Sequence, residues 1–138
     1  MSKSNATQPR LPHRTLVVVA DGAGARFFRN IGNEVRITLS DDGHLAPSHL
    51  NSDGPAGKGP PERSKHETDD ATFVKQLANE LYRRAHTGDF ADLVLIADPQ
   101  TLGQIRPSLH KEVQQRLRSE IGKTLTKASV ADIQHALE

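Results

Sequence analysis

Three carboxylates, Asp21, Glu80 and Asp98, and one glycine-rich stretch, "SDGPAGKGPPERSKHE" at residues 52–67, carry the residue types of this chain that could do chemistry. Asp21 and Asp98 each follow an apolar run, "TLVVVA" and "DLVLIA", and Glu80 lies in a helical pattern between them. Acids at two strand ends and on a helix flank, brought together, could hold two metal ions for phosphodiester hydrolysis. Each acid also has a local use: Asp21 opens a turn, Glu80 can pair with Arg84 at i,i+4, and Asp98 can cap a helix. A metal-dependent nuclease is therefore the alternative reading, and a binding protein without catalytic residues is preferred.

The glycine-rich stretch invites comparison with a phosphate-binding loop, and the comparison fails. Only two residues separate Gly54 from Gly57, and Gly59 follows Lys58 where a hydroxyl for magnesium belongs. Pro60 and Pro61 then prevent a helix from opening there to aim its amides at phosphate. "VVVADGAGARFF" likewise has Phe27 where a dinucleotide fingerprint needs its third glycine, so a strand-to-strand turn with glycines at positive φ fits better. His44, His49 and His66 with Asp41, Asp42 and Asp53 match no regular ligand spacing. No metal, nucleotide or other cofactor is expected.

Formal net charge is +1, from 18 basic and 17 acidic side chains, so no global field draws in nucleic acid and any RNA contact must be local. Local cations exist: Lys58, Arg63 and Lys65 in the stretch, Arg83 and Arg84, then Arg106, Lys111, Arg116 and Arg118. Aromatics are only 4% of the residues, which argues against a surface that stacks successive unpaired bases. Without cysteine, a membrane-length apolar run or an apolar leader in "MSKSNATQPR", a cytoplasmic protein with no membrane insertion is expected.

The elements that must position these groups follow from the apolar pattern. "TLVVVA" (15–20) and "DLVLIA" (92–97) suit strands buried on both faces. "RFFRN" and "EVRITLS" (34–40), turning at "IGN", complete an antiparallel meander after the first of them. "TDDATFVKQLANELYRRAHTG" places Phe73, Val74, Leu77, Leu81 and Ala85 on one helical stripe that ends near Gly88. "DPQTLGQIRPSLHKEV" predicts two short helical pieces, "QQRLRSEIGKTL" suits helix or strand, and Ser129 opens a last helix. The expectation is a disordered tail at 1–12 and one α/β domain at 13–138 with a mobile loop at 41–66.

Together, "TLVVVADGAGARFFRN", "SDGPAGKG", "LVLIADPQTLGQIRPSLHKEV" and "EIGKTLT" resemble the host attachment protein family, also described as protein required for attachment to host cells. The most specific positions are Asp21, Gly22 and Arg26, then Leu102, Gly103 and Arg106. That family in turn resembles the middle domain of archaeal and eukaryotic peptide-chain release factors. The resemblance implies a ribonuclease H-like three-layer α/β fold, with a mixed sheet of about five strands and flanking helices, and a strand near 115–121. It also implies that the 52–67 stretch replaces the Gly-Gly-Gln tip of those factors. No glutamine is present there, so peptide release is not carried over. What remains is a binding arm, Gly54, Gly57, Lys58, Gly59, Arg63 and Lys65 with Arg106 outside it, directed at the ribosome, RNA or a protein partner. Attachment to host cells would then be an indirect phenotype.

Overall fold

The computed structural model describes residues 11–46 and 65–137, with side chains in the long helix from residue 73 onward. The two apolar runs become β1 (Leu16–Asp21) and β4 (Leu93–Ala97), paired in parallel at the centre of a five-stranded sheet. β2 (Gly24–Asn30) lies antiparallel to β1, β3 (Leu39–Leu45) antiparallel to β2, and β5 (Leu117–Gly122) parallel to β4. The order across the sheet is β3-β2-β1-β4-β5. The strand implied near 115–121 is therefore present.

Alternation along the central strands feeds two cores. Leu16, Val18 and Ala20 with Leu93, Leu95 and Ala97 face the long helix α1 (Lys65–His86), α2 (Pro99–Ile105) and α3 (Lys111–Arg116). Val17, Val19, Val94 and Ile96 face α4 (Val130–Leu137) through Ile133 and Leu137. Helices thus cover both faces, which is why β4 is apolar at every position and β1 at every position before its last residue, Asp21. α1 contributes Phe73, Leu77 and Leu81, all fully buried, and ends at His86, two residues before Gly88, whose φ of +77° suits a residue without Cβ. A 3-10 turn (Arg106–Ser108) separates α2 from α3, as Pro107 predicts.

Two expectations are corrected. The third strand runs five residues later than "EVRITLS", so Asp41–Leu45 belong to the sheet and not to a loop. "DDG" has turn composition, but here it forms a bulge: Arg26 pairs with His44 and Phe28 with Asp41, leaving Asp42 and Gly43 opposite Phe27. Gly43 takes φ +113° and its amide donates to Asp41 Oδ1 at 2.8 Å. Residues 31–38 form the connection instead. Asn30, fully buried, organises it by accepting from Gly32 N and Thr38 N and donating to the Leu11 carbonyl. Leu11 is fully buried too, although it falls within the expected tail. Among the described residues no helix is long and apolar enough to cross a membrane.

Candidate functional site

β3 ends beside the carboxyl end of β1, because Leu45 pairs with Ala25 and Ala25 with Ala20. Ala46, which follows Leu45, therefore stands at the edge that carries Asp21. An open depression of about 390 Å³ lies there, lined by Asp21, Gly24, Arg26, His44, Ala46 and Lys127 among others. His44 and Lys127 are exposed at this edge.

The hairpin between β1 and β2 turns through Gly22 and Ala23, and its turn is made by a side chain. Asp21 Oδ1 accepts from Ala23 N at 2.7 Å, and neither Gly22 nor Gly24 has positive φ, which corrects the expectation for these glycines. Asp21 Oδ2 accepts from Thr126 Oγ1 at 2.8 Å. Arg26 Nη1 donates to the carbonyls of Thr126 at 3.1 Å and Ala128 at 2.7 Å, while its guanidinium lies 4.9 Å from the Phe28 ring centre. The two charged members of the V-A-D-G…R motif thus clasp the segment that leads into α4. They shape the edge of the depression instead of presenting an unpaired acid and base.

The three carboxylates divide between two places. Asp98 follows Ala97, the partner of Ala20, so Asp98 and Asp21 stand at the same end of adjacent parallel strands. Asp98 caps α2, accepting from Thr101 N at 3.1 Å and Thr101 Oγ1 at 2.7 Å. Glu80 is taken by Arg83 at 2.8 Å and Arg84 at 2.9 Å. Hydrogen bonding to Arg83, then Arg84, outweighs burial and holds the Glu80 carboxyl below its ordinary range. Among the described residues no group of three His, Cys, Asp or Glu side chains could hold a metal ion. The nuclease alternative has no site there.

Of the other expected residues, Leu102 is buried in the core under α2, while Gly103 is exposed with open space around it. Arg106 is engaged by Glu120 of β5 at 2.5 Å, which raises the pKa of its guanidinium further. Gly54, Gly57, Lys58, Gly59 and Arg63 lie outside the described residues, as does the side chain of Lys65, where α1 begins.

At the opposite end of the sheet is a cluster that spacing does not reveal. Arg29 Nη2 donates to Asp42 and Asp89, each at 2.8 Å, and Arg84 Nη1 reaches the same two acids at 3.1 and 3.5 Å. Arg84 also covers the Phe27 ring at 4.4 Å. Burial opposes the charge of Arg29, but Asp89 and Asp42 overcome it and raise its pKa. The cluster pins β3, through its bulge residue Asp42, to α1 and β2. Only the alternation of Arg26 with the Phe pair and Arg29 in β2 hints at it in the sequence.

A mixed five-stranded sheet covered by helices on both faces, with β3 ending at a clasped edge beside Asp21, makes this a mixed α/β domain. The chain belongs to bacterial archaeo-eukaryotic release factor family 12, whose model matches residues 14–137. No curated protein matches it.

Proposed function

We propose that this protein is a non-enzymatic binding protein directed at the ribosome or its RNA, and that the contact is made by the segment joining β3 to α1. Family membership over residues 14–137 carries the ribosomal half of this reading. The absence of glutamine between Ala46 and Lys65 carries the other half, since the long carboxamide side chain that would position water against a peptidyl ester is missing there. Gly54, Gly57, Lys58, Gly59, Arg63 and Lys65 would make the contact, through backbone amides and cations facing phosphate.

The strand order β3-β2-β1-β4-β5, with β2 alone antiparallel to both neighbours, supports a ribonuclease H-like fold. Kinship with host attachment proteins and action in the cytoplasm belong to the same reading, with attachment as a downstream phenotype.

Sedimentation of a cell lysate through a sucrose gradient at low salt tests the proposal. The protein is expected to co-migrate with ribosomal particles, and deletion of residues 54–63 is expected to abolish this. Absence from the ribosomal fractions, or co-migration unchanged by the deletion, overturns it.

A further inference from the structure

Composition argues against base stacking because it counts one tyrosine, four phenylalanines and no tryptophan. Folding changes that arithmetic. Phe27, Phe28, Phe73 and Phe90 are buried, yet Tyr82 of α1 meets two histidine rings at the surface. The His110 ring stacks on Tyr82 with centres 3.9 Å apart and planes 23° apart, and the His86 ring lies at 5.6 Å and 31°. His110 comes from the residue before α3, so the group bridges two helices. His86 and His110 are exposed, and Tyr82 is partly buried against the core, which anchors the ladder.

Cations flank the rings. Lys75 stands seven residues before Tyr82, two helical turns away on the same face, and is exposed. Arg83 precedes His86 by three residues, and its side chain is 64% exposed even while it contacts Glu80. Lys111 follows His110 and is exposed. Against them, Glu112 lies 3.4 Å from His86 Nδ1. Flat rings open to solvent, set among cations that can meet phosphate, fit an unpaired nucleotide strand: every base has a π-face to stack and a phosphate to neutralise.

We infer that the Tyr82–His86–His110 ladder is a stacking platform for single-stranded RNA, separate from the depression at the carboxyl edge of the sheet. The choice of RNA as the occupant rests on the ribosome-directed reading above; the platform itself rests on the ring geometry and the flanking cations. An exposed aromatic cluster that served only to fasten α3 to α1 would have no need of the rings at its open ends.

Fluorescence anisotropy with a labelled single-stranded ten-nucleotide RNA tests this on the full chain. The parent protein is expected to bind, and His86→Ala/His110→Ala and Tyr82→Leu are each expected to weaken binding about tenfold. Tyr82→Phe retains the ring and is expected to bind within about twofold of the parent. Circular dichroism checks that each variant folds, and Tyr82→Phe keeps the test decisive if Tyr82→Leu does not. No binding by the parent, unchanged binding by the double variant, or equal losses in Tyr82→Phe and Tyr82→Leu overturns the platform. Failure of the two ideas is separable. RNA binding that depends on the ladder, without ribosomal co-migration, removes only the ribosomal reading; co-migration with RNA binding indifferent to the ladder removes only the platform.

Discussion

Arg26 reaches across 102 positions of the chain to hold the Ala128 carbonyl at 2.7 Å. One nitrogen serves two carbonyls, since the same Nη1 also donates to Thr126. This contact ties the β1–β2 hairpin to the segment before α4, and so keeps that helix seated on Val17, Val19 and Ile96.

Removing it is expected to loosen α4 before the rest of the domain. Charge-assisted hydrogen bonds of this kind contribute about 1.5–3 kcal/mol, so Arg26→Ala is expected to cost about that much in urea denaturation. Amide hydrogen exchange in 130–137 is expected to accelerate more than in β1 or β4. Uniform acceleration throughout the sheet would show that Arg26 acts on global stability and not as a clasp.

The central strands are legible in the sequence because burial on both faces demands continuous apolar runs, and "TLVVVA" and "DLVLIA" have little else to be. β3 is not legible. Its "SDDGHL" carries turn residues, and only the pairing with β2 shows that Asp42 and Gly43 are a bulge within a strand. "EVRITLS" alternates convincingly, yet Val35 is 94% exposed and the alternation serves a connection. Ion pairs fare the same way: Glu80 with Arg84 is a local i,i+4 pair, readable from spacing, whereas Asp42 and Asp89 meet Arg29 only once three elements have assembled. The Asp21–Thr126 bond, spanning 105 positions, has no local signal at all.

Glu80 sets a pH dependence of defined sign. Its carboxyl is held below the ordinary value of 4.5, so its contribution is complete above that pH and is lost as pH falls through the lowered folded value. Glu80→Gln is expected to be about 1 kcal/mol less stable than the parent at pH 7. The difference is expected to shrink as pH falls below about 4, because protonation removes the same interaction from the parent. Urea denaturation at pH 7, 5 and 3.5 measures it; a gap that widens on acidification would refute the assignment.

Asn30 is a test of buried polar satisfaction. Its amide nitrogen donates to Leu11 O at 2.8 Å, and its oxygen accepts from Gly32 N at 2.9 Å and Thr38 N at 3.0 Å. Asn30→Ala leaves these backbone groups without that partner and is expected to cost about 3 kcal/mol, or a fall in Tm of about 10 °C. Asn30→Asp is expected to be no milder, since a carboxylate oxygen would face the Leu11 carbonyl in place of a donor. A thermal melt within 2–3 °C of the parent for either variant, on the order of ordinary surface substitutions, would contradict this role.

Two glycines make opposite predictions from one kind of substitution. A Cβ on Gly32 would sit 2.1 Å from the Arg36 carbonyl oxygen, a backbone atom that cannot turn aside. Gly32→Ala must therefore shift the 31–38 connection and with it the ladder into β3, at an expected cost of about 2 kcal/mol or more. Gly103 lies within α2, has no positive φ, and a Cβ there would meet nothing within 4 Å. Gly103→Ala removes backbone freedom from the unfolded chain without a clash, so it is expected to stabilise the domain by about 0.5–1 kcal/mol. Parallel urea melts of the two variants check both signs at once, and a destabilised Gly103→Ala would mean that the backbone of α2 is held closer to a neighbour than its open surroundings indicate.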